Sequence, residues 1–577
     1  MDIAGFVYEV NQHGFYLWVE SGKLKYRQFK ECEDKSYIFE KISSNKKEII
    51  QFLEMNQVFD DSLQGAVIHQ QHIYKTDSKR QVLSFAQERL WFIELFEEGT
   101  SAYNIPIIFE AGTKLDKKCL ELALRAVIHR HEALRTVIFE NEEGEYHQEV
   151  IDDVAQPTCI STFSVSSKEE LDSRLYHDAH YLFDLKNEFP IRICFYEISE
   201  QPDLFYVSIV VHHIAFDGWS MDIFMKELGL YYSGFLNNEK PSLDNDKIQY
   251  KDYALWQKYI LSGENLEKEM GYWRDKLSGY ENLQIITDYP RPENIDYAGT
   301  NVSFEMDPET SASLRGLAKY LNISLYSLLL SAYFLLLRAW TNQDVILVGS
   351  PSASRNIHDL ESIVGFFINM IVMRYDFDGD MLLVDYINAI AEEVRSSQAH
   401  DTMPFEKIVN EIDLVKDTSR NSIFQAEFDV QGFGHGVYIE SGDSVHKSII
   451  NTEHLRSYSP QQDINDASIY DLSFLVNDNQ DALHGYVIYA TKLFKQSTVE
   501  RFASSFVTVL IQYSQAYKKI KQAKDVFLSD IRYLNQIEEN RILYDWNQTT
   551  HAYHADQTLS QLFEEQVTAT PDATALV

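Results

Sequence analysis

Two adjacent histidines, an aspartate and a glycine stand close together in the stretch His212-His213-Ile214-Ala215-Phe216-Asp217-Gly218. An imidazole has a pKa near neutral, so it can take up or release a proton at physiological pH. Neighbouring residues of an extended chain point to opposite sides, so only one of the two histidines can face a given cavity. We therefore expect one histidine to do chemistry and the other to be a buried, hydrogen-bonded residue.

The sequence on either side of these residues predicts elements that hold them rigidly. Leu204 to His212 (LFYVSIVVH) is a continuous apolar run, which predicts a central strand buried on both faces. Ser220 to Phe235 has helical spacing, and polar groups at the end of a central strand usually line a crevice. Gly218 can permit the turn between strand and helix, and Asp217 can orient that turn by pairing with an arginine.

Two blander interpretations of the same residues compete with catalysis. His212, His213 and Asp217 could be three metal ligands, but no fourth ligand lies nearby at metal spacing, and adjacent histidines seldom chelate one ion together. We therefore expect no metal site. A purely structural pair of histidines stays an alternative.

Further motifs surround the histidines, and together they resemble the condensation domain of nonribosomal peptide synthetases over residues 80 to about 540. In chain order they are SFAQERLWF (84–92), RHEALRT (130–136), HHIAFDGWS (212–220), YKDYALWQ (250–257), VGFFIN (364–369, then Arg374), MPFEKIV (403–409) and RNSIFQ (420–425). The third matches the HHxxxDG signature of that family. The shared order makes the resemblance far more specific than the two histidines alone.

The resemblance implies a role for each matching residue. His213 is the catalytic position, and His212 is scaffolding. Asp217 is a structural acid in a salt bridge across a tunnel, with Arg355 as the first choice of partner and Arg135 as the second. Two further residues are expected to line the tunnel, namely Trp219 and Asn369.

The fold implied is mixed α/β (α+β), with two chloramphenicol-acetyltransferase-like lobes in a V and a tunnel between them. Donor and acceptor carrier domains would approach opposite ends, each bringing its substrate on a phosphopantetheine arm, and no cofactor is bound covalently. An acceptor amine would then attack a donor thioester. His213 could act as a general base, or it could position the amine and stabilise charge.

Residues 1–60 predict a small αββα-type unit. The aromatic-rich segments 15–20 and 23–27 flank Ser21-Gly22, which indicates a hairpin. They resemble the β-hairpin docking domains of some synthetase subunits, which capture a C-terminal peptide of the upstream subunit. The expected interface residues are Trp18, Lys23, Lys25 and Arg27. The three basic residues could instead merely protect an edge strand.

The same resemblances predict the remaining domain boundaries. We expect a linker of limited structure at 61–79, the N-lobe at 80–255 and the C-lobe at 256–540. Residues 541–577 resemble a linker and the start of a truncated adenylation domain, so we expect that domain in the same native chain but no ATP site here. No carrier attachment motif is found in this sequence, so the carriers, including the downstream one, must come from elsewhere.

Composition restricts the partners. The net charge of −37, from 51 basic and 88 acidic residues, disfavours nucleic acid. The four cysteines form no CxxC pair, which favours a reducing compartment. The N-terminus lacks the features of a signal peptide, and the longest apolar run, near 328–337, is too short for a bilayer. We expect a cytoplasmic protein without a membrane partner.

Four other functions were weighed against peptide-bond formation. A non-catalytic recruitment platform with the same fold is disfavoured because the histidine motif is intact. Heterocyclisation is disfavoured because its DxxxxDxxS signature is absent from the site. Epimerisation keeps the HHxxxDG pattern, but an epimerase follows a carrier, whereas this domain precedes an adenylation domain. Transfer from free acyl-CoA is the fourth possibility.

Overall fold

A computed structural model describes most of the chain. The described residues are 3–28, 35–56, 58, 72–96, 99–112, 114–152, 159–199, 201, 203–239, 241, 243, 247–412, 417–432, 455–458, 460, 467–478, 481–550 and 556–574. Cys32 and residues 61–71 of the predicted linker lie outside them.

The N-terminal unit, residues 3–58, contains the predicted hairpin. Its elements are α1 (Ile3–Gln12), β1 (Phe15–Glu20), β2 (Lys23–Gln28), α2 (Lys35–Ser44) and α3 (Lys46–Met55). Ser21 and Gly22 both have positive φ, 51° and 71°, as the turn of a tight two-residue hairpin requires. Asn45 separates two helices after the hairpin, so the order is αββαα and not the predicted αββα.

Residues 80–260 supply the elements of the first lobe. They are β3 (Arg80–Val82), α4 (Phe85–Phe96), β4 (Asn104–Gly112), α5 (Lys117–Arg130), β5 (Thr136–Glu140), β6 (Tyr146–Val150), β7 (Ile160–Val165), α6 (Lys168–Ala179), β8 (Ile191–Ile198), β9 (Leu204–His212), α7 (Gly218–Leu236) and α8 (Tyr250–Ile260).

The rest of the chain supplies the second lobe and the C-terminal segment. The elements are α9 (Gly263–Lys276), β10 (Gly299–Glu305), α10 (Pro308–Leu321), α11 (Leu325–Thr341), β11 (Val345–Ser352), β12 (Asn369–Asp376), α12 (Leu383–Gln398), α13 (Phe405–Glu411), β13 (Ala426–Gly432), β14 (Leu455–Ser457), β15 (Leu472–Asp478), β16 (Leu483–Ala490), α14 (Gln496–Ile520), α15 (Gln536–Asn540) and α16 (Leu559–Ala569).

Each lobe is built on its own mixed sheet. The five-stranded sheet of the first lobe has the order β14-β4-β9-β8-β7, and β3-β6-β5 form a three-stranded sheet beside it. The six-stranded sheet of the second lobe has the order β10-β16-β15-β13-β11-β12. Apolar helices cover that sheet, and α11 contributes eleven buried residues to the core beneath it. The mixed α/β architecture predicted from the sequence is confirmed.

One strand crosses between the lobes. β14 comes from the predicted C-lobe range 256–540, yet it pairs antiparallel with β4 of the first lobe. Tyr458, next in the chain, donates a hydrogen bond from its hydroxyl to Asp172 in α6 at 2.7 Å. The predicted range therefore does not correspond to one lobe, because this crossing depends on long-range pairing that the sequence pattern does not show.

The described end of the predicted linker, 72–79, is a packed strap rather than a segment of limited structure. Ile73 and Tyr74 are buried, although residues 72–78 form neither helix nor strand. The backbone N–H of Thr76 donates to the Asp252 carboxylate at 2.9 Å, and the Lys251 ammonium donates to the Thr76 carbonyl at 2.8 Å. Two residues at the start of α8 thus hold the strap, because they bind both the N–H and the carbonyl of Thr76.

The N-terminal unit packs on the first lobe through α1. The ring of Tyr8 stacks on that of Tyr259 at 5.1 Å between centroids, and the Tyr8 hydroxyl accepts the Tyr74 N–H at 2.9 Å. The buried apolar side chains of the unit are continuous with those of α8 and of residues 360–367 in the second lobe. The unit therefore shares a core with the lobes and does not form a separate small one.

Among the described residues, no single helix is long and apolar enough to cross a membrane. The consecutive helices α10 and α11 reach that length and composition only together, and they meet at 106°.

We predict that Tyr8→Ala destabilises the whole protein, because it removes a buried ring from the shared core. The expected loss in the free energy of unfolding is about 3–5 kcal/mol, as for other buried aromatic rings. Denaturant unfolding followed by tryptophan fluorescence measures it. Tyr37→Ala, at a half-exposed position of α2, is the matched control and should cost much less. Equal losses in the two variants would contradict the shared core.

Candidate active site at the junction of the lobes

The predicted strand positions the histidines as expected. β9 is buried along its length and pairs antiparallel with β4 on one side and β8 on the other. It ends at His212, a short 3-10 turn spans His213–Ala215, and Asp217 is the N-cap of α7. His212 is fully buried, whereas His213 is partly exposed. The two histidines thus differ in burial, in the way expected for one accessible and one scaffolding residue.

His212 is held from two sides. Its Nε2 lies 3.1 Å from a carboxylate oxygen of Glu94 in α4, and its Nδ1 accepts the Ile214 N–H at 3.1 Å. Because Nδ1 accepts, the ring proton must be on Nε2, which donates to Glu94. This side chain fixes the turn that presents its neighbour, which is a scaffolding role.

His213 lies in surroundings that favour the neutral imidazole. Its backbone N–H donates to the Tyr103 carbonyl at 2.8 Å, and its ring meets that of Phe366 at 5.1 Å between centroids. Burial lowers the pKa of His213 to about 4, although the nearby Asp217 carboxylate favours the protonated form. At neutral pH the ring is therefore uncharged and keeps a lone pair that can accept a proton.

The two nitrogens of His213 differ in environment. Nδ1 is enclosed and has no hydrogen-bond partner among the described residues. The side chain as a whole is partly exposed, and Nε2 is the nitrogen that remains for a proton transfer. Proton acceptance at Nε2 requires the tautomer with the proton on Nδ1.

Asp217 binds the second lobe through Arg355. Nη2 of Arg355 lies 3.1 Å from one oxygen of the carboxylate and 3.2 Å from the other, and both side chains are buried. The carboxylate also accepts hydrogen bonds from the N–H and hydroxyl of Ser220 at 2.8 and 2.6 Å, and from the Phe367 N–H at 3.1 Å. Asp217 therefore braces the junction, and Arg355 as its partner agrees with the first choice made from the sequence.

The guanidinium of Arg355 binds several groups besides the carboxylate, although its Nε is buried without a hydrogen-bond partner among the described residues. Its Nη1 donates to the carbonyls of Leu360 and Ile363, each at 2.6 Å, and its plane lies 4.0 Å from the ring centre of Phe367. Burial lowers the pKa of Arg355 below its ordinary range, and the Asp217 carboxylate opposes that shift. The pair thus orders the whole segment from 360 to 367.

Arg135, the second choice, is not the partner of Asp217. Its side chain is buried between α5 and β6 and donates to the carbonyls of His129 and Ile151 at 3.1 and 2.8 Å. Both of these partners are close to Arg135 in the chain. The choice between the two arginines depended on tertiary placement, which the motif alone does not contain.

The structure also changes the role expected of Gly218. The residue is exposed at the first position of α7, its φ is not positive, and an added Cβ would meet nothing within 4 Å. The turn therefore does not need glycine, in contrast to the prediction. Trp219 next to it is half-exposed, and its indole N–H donates to the Glu361 carbonyl at 2.9 Å, so its tunnel-lining role stays a prediction.

Asn369 braces a loop with its side-chain amide. Its Nδ2 donates to the carbonyls of Asp401 and Met403, each at 2.7 Å, and its Oδ1 accepts the Phe405 N–H at 3.0 Å. The amide therefore has a structural role, and the tunnel-lining role of Asn369 stays a prediction.

Sequence reasoning missed Glu94 and Ser220. Glu94 follows Gln87, Leu90 and Trp91 on the buried face of α4, so an acid in an apolar helical stripe was the available signal. Ser220 joins the two lobes, since its hydroxyl lies 3.0 Å from both the N–H and the carbonyl oxygen of Gly365. No sequence pattern reveals that contact. Among the described residues, no group of three or more His, Cys, Asp or Glu is placed to hold a metal ion.

The chain is similar to known proteins over most of its length. A family model described as "Condensation domain" matches residues 77–533. N-(5-amino-5-carboxypentanoyl)-L-cysteinyl-D-valine synthase of Amycolatopsis lactamdurans is 34% identical over 501 residues, which cover 86% of this chain but only 13% of that protein. The chain thus spans roughly an eighth of the length of this relative.

Two solved structures share the fold. The X-domain from teicoplanin biosynthesis matches with a TM-score of 0.68 and 26% identity, covering 80% of this chain and 99% of the X-domain. A four-domain nonribosomal peptide synthetase bound to AMP and glycine matches with a TM-score of 0.72 and 21% identity, covering 88% of this chain and 38% of the synthetase. The two-lobed fold expected from the motifs is confirmed.

We predict that Asp217→Ala lowers the free energy of unfolding by about 3–5 kcal/mol, because it leaves the Arg355 guanidinium buried without its carboxylate. The double variant Asp217→Ala/Arg355→Ala should lose clearly less than the sum of the single losses. Denaturant unfolding measures all three. The control pair is Asp217→Ala with Arg135→Ala, whose losses should add. Additive losses in both pairs would refute the brace.

Proposed function

Because this chain belongs to the condensation-domain family of nonribosomal peptide synthetases, whose members catalyse peptide bond formation, we propose that it joins an acceptor amine to a donor acyl thioester. Domains of this family use no cofactor of their own, and phosphopantetheine arms of carrier domains deliver both substrates. The observation that carries the proposal is the partly exposed His213, which follows a buried strand and contacts Phe366 of the other lobe, beside a buried Asp217–Arg355 brace.

The reaction balances without a protein nucleophile. The acceptor amine attacks the carbonyl carbon of the donor thioester, a C–N bond forms, and the carbonyl oxygen becomes an oxyanion. The oxyanion collapses, the C–S bond breaks, and the thiolate of the donor arm leaves. The proton lost by the amine ends on that sulfur, so the products are an amide and a thiol.

His213 can act on this sequence in two ways. Its Nε2 can accept the proton of the attacking nitrogen and return it to the leaving sulfur, which is general base and then general acid catalysis. It can also accept a hydrogen bond from the amine and hold the lone pair towards the carbonyl carbon. Both roles need the neutral ring that burial provides.

We predict that His213→Ala lowers kcat for amide formation by about 10²- to 10⁴-fold, the usual range for a lost acid–base group. Both carrier domains are supplied loaded, and the product is measured by mass spectrometry. Binding of each carrier should be unchanged, because the substitution does not alter the surface. His177→Ala on the exposed face of α6 is the control. Full activity of His213→Ala would refute the catalytic role of His213, whereas a wild-type chain that binds both carriers and forms no amide would be a recruitment platform.

The hairpin of the N-terminal unit is the proposed site for the upstream subunit. Residues directly opposite in an antiparallel pair share a face. The pairs Trp18 with Lys25 and Glu20 with Lys23 therefore stand on one face, and Arg27 lies beside them. Lys23, Lys25 and Arg27 are all exposed, and Trp18 is partly exposed.

An acidic peptide in extended conformation fits this face. Within the described residues β2 pairs only with β1, so its other edge can take a further strand. This face carries three cations and one carboxylate, so it is locally basic although the chain has a net charge of −37. The alternative is that the charges only protect the edge strand from pairing with other chains.

We predict that reversing Lys23, Lys25 and Arg27 to Glu weakens binding of the upstream C-terminal peptide by more than about tenfold at low salt, with a smaller effect at high salt. Calorimetry or fluorescence anisotropy measures the affinity. The control reverses three exposed lysines of the C-lobe, Lys518, Lys519 and Lys524. Unchanged affinity in the hairpin variant would support edge protection instead. This test avoids deletion of the unit, which would disturb the shared core.

The C-terminal segment is the proposed contact with an adenylation domain of the same native chain. Leu559, Phe563 and Val567 recur every four residues on α16, so they lie on one face of that helix, and all three are exposed. An apolar helical face in water favours packing against another domain. The downstream carrier would follow as a further partner.

A further inference from the structure

We propose that Tyr250, the first residue of α8, is a positioning residue that sets the segment Gly365–Phe367 against His213 and Asp217. The inference rests on the proposed function, since it concerns the same site. Tyr250 lies in the first lobe and the segment in the second, so the contact joins the lobes at a point other than the Asp217–Arg355 pair.

The hydroxyl of Tyr250 has two hydrogen-bond partners. Its hydroxyl donates to the Phe366 carbonyl at 2.5 Å and lies 2.8 Å from the hydroxyl of Ser84. The side chain is buried, and Ser84 is itself held by the Gln87 N–H at 3.1 Å. A buried donor with two partners has little freedom, so the carbonyl of Phe366 has a defined position.

The ring of Tyr250 fixes the same segment by contact. A Cβ added at Gly365 would lie 2.0 Å from Cδ2 of Tyr250, so the backbone approaches the ring more closely than any other residue allows. The φ of Gly365 is not positive, which means that the close approach, and not a turn, requires glycine. The rings of Tyr250 and Phe367 also meet edge to face at 4.9 Å.

Each residue of the held segment contacts the catalytic machinery. The backbone of Gly365 binds the Ser220 hydroxyl, the ring of Phe366 packs on the His213 ring at 5.1 Å, and the Phe367 N–H donates to Asp217 at 3.1 Å. No contact joins Tyr250 to His213 directly among the described residues. Tyr250 therefore acts through the segment, by keeping one wall of the His213 site in place.

Loss of the hydroxyl tests this role while the ring stays in place. Tyr250→Phe frees the Phe366 carbonyl, so the Phe366 ring can withdraw from His213 and water can enter. We expect kcat to fall about 10- to 100-fold, the effect of a displacement of about 1 Å at a reacting centre, with KM changed less than about twofold.

A second readout does not depend on catalysis. In wild-type protein His213 should titrate near its lowered pKa of about 4, and in Tyr250→Phe this value should rise towards 6.5 as the ring becomes hydrated. NMR of histidine labelled at Cε1 measures it. Asp217 and His212, the ionisable groups that act on His213, are unchanged in the variant. A failure of the proposed function would remove the amide product but not this titration.

Tyr386→Phe is the matched control, because it removes an equally buried hydroxyl that donates to the Ser331 carbonyl at 2.7 Å in the second-lobe core. It should leave kcat and the His213 titration as in wild type. If Tyr250→Phe does not fold, Ser84→Ala takes its place and should lower kcat about threefold with a smaller upward shift. An unchanged kcat and titration in the folded variant would overturn the proposal.

Discussion

The buried ion pair of Asp217 and Arg355 is the interaction on which the arrangement of the site depends. Two charges removed from water cost several kcal/mol each, and attraction compensates only when the geometry is good and other hydrogen bonds satisfy the remaining atoms. Here Ser220, Phe367, Leu360 and Ile363 supply those bonds from both lobes. The pair can exist only when the lobes are in this relation, so it selects one geometry of the junction.

The charged Asp217 and the uncharged His213 stand four positions apart in the chain, and their environments differ for physical reasons. Asp217 begins α7 and is surrounded by donors, which stabilise a carboxylate. The ring of His213 packs on the ring of Phe366, and its own Nδ1 is enclosed. Both features favour the neutral form of the imidazole. The same short loop thus separates the work of holding the lobes from the work of handling a proton.

Local patterns were enough to predict much of this structure. The strand at 204–212, the hairpin and the helix near 220–235 follow from apolar periodicity and turn residues. The motif order indicated the family, and Arg355 was the first of two candidate partners for Asp217.

Most of the errors concern contacts between residues distant in the chain. Arg135 carries a suitable side chain, but its partners are nearby carbonyls. The strand pairing of β14 and the burial of the strap have no periodic signature. Glycine at 218 suggested a turn, whereas the close approach that requires glycine is at 365.

The strap at 72–79 bears on how such a chain can be recombined with others. Lys251 and Asp252 hold Thr76, and their neighbour Tyr250 holds Phe366, so one helical turn is attached to the N-terminal unit on one side and to the active-site wall on the other. A fusion made at residue 79 would remove Thr76, so the buried Lys251 and Asp252 would lose their hydrogen bonds to its backbone. A fusion point before α1 keeps these contacts, so the hairpin should be exchanged together with the lobes whose core it shares.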